Sequence, residues 1–308
     1  MAGHSSRVRR CLSSTTLAWG LLALGAGCRT DAEPPHVIAV ITDYGTRDFY
    51  AGVLEGSILR IDPEAHISTI THEVEPFDIR EGSYLLAQAA PAYPAGTVFV
   101  TIVDPGVGTA RRPVVLRATD GTLFVGPDNG LFTKVMHVMD ISSAYEITNG
   151  ELVRPESATF HGRDIFGPIA AHLGRGLDPA AVGPSFDPAT LVRLDETAPA
   201  VRGDTLTGEV VHVDRYGNLI SNIPAAMAAS LHARDEFTMV VGNVAFPVRV
   251  GMTYGDVRER ELVVLVNAEG VVEVAANMAS ASSLCGVRAG DQVSLAPAMS
   301  SPETPAAG

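Results

Sequence analysis

The first half of this chain alternates between two hydrophobic periods, and that alternation restricts its architecture more than any other feature. VIAVITDYG (37–45) is an apolar run that stops at an acid and a glycine, as a buried strand entering a turn does. DFYAGVLEGSILRI follows at helical spacing, with Phe49, Val53, Ile58 and Ile61 able to share a face. HISTITH (66–72) is strand-like, IREGSYLLAQAAPAY (79–93) helical, and TVFVTIVD (97–104) a third strand. PVVLRAT and LFVGPD add strands, while NGLFTKVMHVM and IFGPIAAHLG read as helices. Strands interleaved with helices predict a largely parallel sheet covered on both faces.

Near residues 184–203 the texture changes. PSFDPATLVRLDETAPAVRGD is rich in proline and acids and has little periodicity, as a linker would be. Only strand-like runs follow, punctuated by Gly and Asn turns, which predicts a small barrel-like all-β unit. The expected fold class is therefore α/β: a three-layer α/β domain over 37–194, a smaller β domain over 203–297, and a disordered tail at 298–308.

The N-terminus reads as a processing segment. Arg7, Arg9 and Arg10 precede the short apolar stretch LAWGLLALGAG and then Cys28, the order of a secretory signal. The apolar stretch is too short to span a bilayer. A cysteine directly after Ala26-Gly27 resembles a bacterial lipobox, although Gly25 stands where a branched residue is usual. The expectation is a signal peptide over 1–27, lipidation of Cys28, a tether over 28–36, and an exported lipoprotein anchored to a membrane and facing the periplasm or the exterior. Removing that leader takes away three arginines and no acids, so a formal charge of −13 becomes more negative still. Such a surface argues against nucleic acid as a partner. Of Cys11, Cys28 and Cys285 only Cys285 falls in the folded part, where it reads as a small buried side chain without a disulfide partner.

VDPGVGTARR (103–112) poses the chemical question: why a buried strand should end on an acid, turn on glycines and return with paired arginines. Asp, Pro and Gly are ordinary turn formers. Yet Asp43, Asp104 and Asp128 each follow an apolar run, and strand ends on the carboxyl side line the ligand crevice of a parallel sheet. Three acids at equivalent positions favour one shared site. TFHGRDIFGPIA (159–170) places His161, Arg163 and Asp164 just before a helix, where Asp164 would serve as an N-cap. VDRYGNLISN (213–222) reads as a hairpin with Asp214 and Asn218 as turn formers. Phosphate-loop glycine motifs, CxxC, HExxH and GxSxG are all absent from the sequence.

Taken in order, ITDYG, ITHEVEPFDIREG, YPAGTVFVTIVDPGVGT, FVGPDNGL, TFHGRDIF and DRYGNLISN resemble the S-adenosyl-L-methionine (SAM) hydroxide adenosyltransferases, the adenosine-forming SAM hydrolases related to fluorinase and chlorinase. The resemblance runs from about Val37 to about Pro297. It implies that water attacks the ribose C5′ of SAM to give adenosine and L-methionine, with no metal or other cofactor. It also implies a homotrimer whose active sites lie between the α/β domain of one subunit and the β domain of the next. The family's catalytic triad falls on Asp104, Arg111 and His161, with either Asp104 or His161 able to take the proton. Its ribose-diol acid falls on Asp43, its ammonium-binding acid on Asp214, its adenine-reading amide on Asn218, and its aromatic walls on Phe77, Tyr216 and Tyr254; the backbone at Met278 is a further adenine contact. Two departures separate the chain from the halogenases. Asp104 stands where they carry an aromatic or apolar residue, and Gly162 where a hydroxyl can help hold the halide. Glu269 replaces a basic residue that in fluorinase lies near the methionine carboxylate.

Two other readings are compatible with the residues alone. Asp43, Asp104, Asp128 and His161 would suit a metal-dependent phosphohydrolase. An exported lipoprotein that binds SAM or adenosine without turning it over would suit the leader.

Overall fold

The computed structural model describes Met1, residues 36–153 and residues 156–298. The expected signal peptide, Cys28 and all but the last residue of the tether lie outside the described residues, as does the tail beyond Ala298.

The alternating half folds as β1 (Val37–Thr42), α1 (Tyr50–Ile61), β2 (His66–Thr71), α2 (Ile79–Ala89), β3 (Val98–Ile102), β4 (Pro113–Ala118), β5 (Leu123–Pro127), α3 (Val135–Val138), β6 (Ile141–Glu146), α4 (Gly167–Gly174) and the short β7 (Ser185–Phe186). The sheet order is β2-β1-β3-β5-β4-β6-β7. Pairings among β2, β1, β3 and β5 are parallel, and β4, β6 and β7 add antiparallel pairings. Strand periodicity splits the core in two. Ile38, Val40, Val98 and Val100 face α1 and α4, whereas Ala39, Ile41 and Phe99 face α2 and α3. From β1 the chain passes to β2 on one side and then to β3 on the other. The carboxyl ends of β1 and β3 therefore form the switch point where such sheets open a crevice.

Two elements differ from the sequence expectation. Of the helix expected over NGLFTKVMHVM only the four residues of α3 are α-helical. Gly130 adopts φ +102° there, and Asn129 spends its side chain on Val103 C=O and Leu131 N–H, so turns occupy the first half. β6, from the polar run ISSAYE, gave no strand signal; it forms because β4 offers it a partner edge.

The second half folds as β8 (Ala200–Arg202), β9 (Thr205–Val213), β10 (Leu219–Pro224), β11 (Glu236–Val241), β12 (Val244–Val250), β13 (Leu262–Val266), β14 (Val271–Ala276), α5 (Ala281–Cys285) and β15 (Gln292–Pro297). The order β10-β14-β13-β12-β11-β15-β9 closes through a β9–β10 pairing into a seven-stranded barrel, with β8 on the outside of β9. Leu206, Val210, Phe237, Met239, Val264, Val274 and Leu295 fill its interior. Closure removes the exposed edges that an open sheet of this size would carry. The barrel packs on α2, where His212 stacks on Tyr84 at 4.9 Å between centroids. Cys285 is half-buried rather than fully inside, and burial pushes its thiol up to about 11.

Candidate functional site

The turn after β3 answers the question set by VDPGVGTARR. Val107 N–H donates to Asp104 C=O and Thr109 N–H to Gly106 C=O, so the chain reverses within a few residues. Gly108 adopts φ +76°, and a methyl group there would lie 2.6 Å from Ala158 C=O. Only glycine lets this turn press against the 157–161 segment. The reversal carries Arg111 back beside the acid that ended the strand. Its Nε donates to Asp104 Oδ1 at 3.0 Å, and its Nη2 donates to Asp104 Oδ2 and, at 2.7 Å, to His161 Nδ1. Beneath, the guanidinium carbon stands 5.2 Å from the centre of the buried Phe166 ring.

That geometry fixes the state of the histidine. A guanidinium has donors only, so His161 Nδ1 accepts and a neutral imidazole carries its proton on Nε2. Burial first, and the Arg111 charge second, hold the His161 pKa below its usual value. His161 opens a π-helical turn, residues Gly162–Phe166, that leads into α4. Asp164 is not an N-cap: it accepts Glu156 N–H, Ser157 N–H and the Arg163 guanidinium, tying the preceding loop to the turn. Burial works against its charged form, yet those donors keep its pKa low.

The paired arginines separate. Arg112 turns the other way, donates to Asp128 Oδ2 and lies 4.2 Å from the Phe186 ring centre. Asp128 also accepts Val192 N–H, so it anchors the linker. The expectation that three strand-end acids share one site is thus corrected: Asp43 and Asp104 do, and Asp128 does not, because Arg112 claims it. Among the described residues no group of three His, Cys, Asp or Glu side chains could hold a metal ion.

Asp43, Phe77, Asp104 and His161 line a cavity of about 560 Å³ at the switch point. Asp43 Oδ2 accepts Phe77 N–H at 3.0 Å, and Phe77 takes φ +70° to offer it. Burial raises the Asp43 pKa, an effect that this hydrogen bond partly offsets. The remaining expected residues line a second cavity, of about 680 Å³, on the barrel: Asp214, Tyr216, Asn218, Tyr254 and Met278. Asp214 and Asn218 are turn formers as expected. Asp214 Oδ1 accepts Tyr216 N–H and Asn218 N–H, and Oδ2 accepts Asn218 Nδ2, each at 2.9 Å. Gly217 adopts φ +83° with Ser280 pressed against it. The two cavities share no lining residue. Sequence reasoning missed Tyr44, Tyr50 and Phe160, an aromatic cluster that walls the first cavity. Their only signal was position, inside or beside the motifs that carried the acids.

Family models for the SAM hydroxide adenosyltransferase N-terminal and C-terminal domains match residues 38–183 and 208–294. The chain belongs to this family. It is 41% identical over 262 residues to the (R)-S-adenosyl-L-methionine hydrolase of Salinispora tropica, which covers 84% of this chain and 97% of the relative. A fluorinase of Actinoplanes sp. is more distant, 27% identical over 283 residues, with 82% and 95% covered. A crystal structure of an uncharacterized conserved protein from Thermotoga maritima superposes with a TM-score of 0.79 at 39% identity, covering 84% of this chain and 99% of that one.

The histidine gives the site a pH dependence of definite sign. The unfolded imidazole, with its ordinary value of 6.5, binds a proton more readily than the folded one. Folding stability contributed this way is complete above about pH 6.5 and is lost as pH falls from there towards the lowered folded value. His172 and His212, both lowered chiefly by burial, act in the same direction. Urea unfolding between pH 7.5 and 5 should show the loss, and His161→Gln should make it shallower without abolishing it. An unchanged slope would contradict the half-buried neutral imidazole.

Proposed function

We propose that this protein hydrolyses S-adenosyl-L-methionine to adenosine and L-methionine by attack of water on the ribose C5′. The observation that carries the reading is the Arg111 bridge between Asp104 and His161 at the wall of the switch-point cavity. The new bond joins the water oxygen to C5′. The C5′–S bond breaks, its electron pair stays on sulfur, and the sulfonium becomes the neutral thioether of methionine. One proton is left over. With Nδ1 engaged by Arg111 and Nε2 already protonated, His161 has no free lone pair, so Asp104 takes that proton. His161 offers its Nε2–H to the water, and Arg111 stabilises the hydroxide character that develops. Displacement at a primary carbon depends on alignment, which three groups fixed on two segments supply.

Asp43 binds the ribose hydroxyls, and Phe77 walls the nucleoside. Asp214 and Asn218 take the substrate ammonium and the adenine edge, with Tyr216, Tyr254 and the Met278 backbone beside them. What supports water as nucleophile, rather than a halide, is the Asp104 carboxylate, an acceptor for the proton that an attacking water must lose and that a halide does not carry. The phosphohydrolase reading loses support because Asp128 is committed to Arg112. The non-catalytic reading does not account for an acid and an imidazole held by one guanidinium at a cavity wall. Asp104→Ala should lower kcat by about 10²–10⁴-fold while adenosine still binds, and EDTA should leave the wild-type rate unchanged. Equal turnover of wild type and variant, followed as adenosine release by chromatography, would refute the role of Asp104.

The two half-sites support a homotrimer in which each first cavity closes on the barrel cavity of a neighbour. Phe77, Tyr216 and Met278 are 71%, 78% and 85% exposed around these openings, an apolar load suited to an interface. Refolding an equal mixture of Asp104→Ala and Asp214→Ala chains should then restore part of the activity, since some interfaces receive two intact halves. No restoration would place each site within one chain. The leader features support export and lipidation at Cys28, with the enzyme held at the membrane outside the cytoplasm. Incorporation of labelled fatty acid in a bacterial host should disappear in Cys28→Ala, and labelling of neither protein would exclude the anchor.

A further inference from the structure

Among the polar groups of the switch-point cavity that the roles above leave idle, the Tyr44 hydroxyl reaches the residue next to His161. Tyr44 lies in the turn after β1, where its N–H donates to Thr42 Oγ1 at 3.2 Å and Gly45 N–H donates to His72 C=O at 2.7 Å. With the backbone held this way, the Tyr44 ring forms part of the cavity wall. It meets Phe160 edge-on at 5.9 Å between centroids and lies 6.1 Å from Tyr50. The phenol oxygen reaches the residue next to His161: a methyl group on Gly162 would clash with Tyr44 Oη and lie 3.3 Å from Cζ. Among the described residues Oη makes no hydrogen bond. Burial, followed by the charges of Asp43 and Asp104, pushes its pKa up, so it stays a neutral hydroxyl.

The hydrogen-bond accounting of the attacking water shows what such a group would do. A water has two hydrogens and two lone pairs. One hydrogen goes to Asp104, one lone pair accepts His161 Nε2–H, and the other lone pair must face C5′. The second hydrogen needs an acceptor that carries no charge and needs no proton. We propose that Tyr44 Oη is that acceptor, a further catalytic group that contacts the attacking water, and that the same hydroxyl is the reason residue 162 is glycine. This inference rests on the reading that water attacks SAM in this cavity. The phenol leaves the water only one direction for its free lone pair. It also closes the space at Gly162 in which a larger side chain would otherwise meet the nucleophile.

Tyr44→Phe removes the oxygen and keeps the ring packing. In assays of adenosine release from SAM, the variant should lose about tenfold in kcat, the size expected for one hydrogen bond made in the transition state. KM and the affinity for adenosine should stay within about twofold. An unchanged kcat, or a rise in KM alone, would overturn the catalytic role. The steric half has its own readout. Gly162→Ala should lower the thermal midpoint in the wild-type background and much less in Tyr44→Phe, because the clashing oxygen is gone. Equal losses in both backgrounds would overturn it. Wild-type protein that releases no adenosine would defeat the reaction reading itself, together with the catalytic role. Activity in wild type with none lost in Tyr44→Phe would defeat only the present proposal.

Discussion

One guanidinium holds the chemistry of this fold together. Arg111 touches Asp104 and His161 at once and rests over Phe166. The contact neutralises an acid that stands in the same cavity as Asp43, so two carboxylates can coexist there. It also decides which imidazole nitrogen carries the proton, and thereby which group can act as base. Both partners are nearly excluded from solvent, with side-chain exposures of 8% for Arg111 and 6% for Asp104. Removing either would leave the other buried without its counter-charge, which is far more costly than the pair itself is stabilising.

The sheet brings two distant segments together at that guanidinium. β3 delivers Asp104, the glycine-containing turn returns Arg111, and the π-helical turn before α4 delivers His161. A π turn is a strained choice within a helical segment, and such turns recur where a side chain must be placed for use. Among the described residues the barrel contributes none to this cluster. Asp214, Tyr216, Asn218, Tyr254 and Met278 sit instead around a separate cavity with exposed aromatic and methionine side chains.

Much of this was legible in the sequence, for reasons specific to particular residues. The runs VIAVITD and TVFVTIVD report buried strands and their ends together, and the DRYGN turn carries its own hydrogen-bond chemistry in Asp214 and Asn218. Asp128 misled because equivalence along the chain is not equivalence in the sheet. It ends a strand that neighbours antiparallel β4, and consecutive arginines entering β4 point to opposite sides. The helix expected across Gly130 failed because local side-chain hydrogen bonds from Asn129 and Thr133 competed with the helical ladder. Tyr44 was invisible as anything but a turn residue, since its meaning depends on Gly162, far away in the sequence. The tautomer of His161 was likewise beyond the sequence, because it follows from a contact fifty residues away.

The central claim is that a water held by this cluster is the nucleophile at C5′. Turnover of SAM in ¹⁸O-labelled water, with both products analysed by mass spectrometry, tests it most directly. The account predicts one ¹⁸O in the 5′-hydroxyl of adenosine and none in methionine. Release of methylthioadenosine in place of adenosine, or label appearing in the amino-acid product, would contradict it.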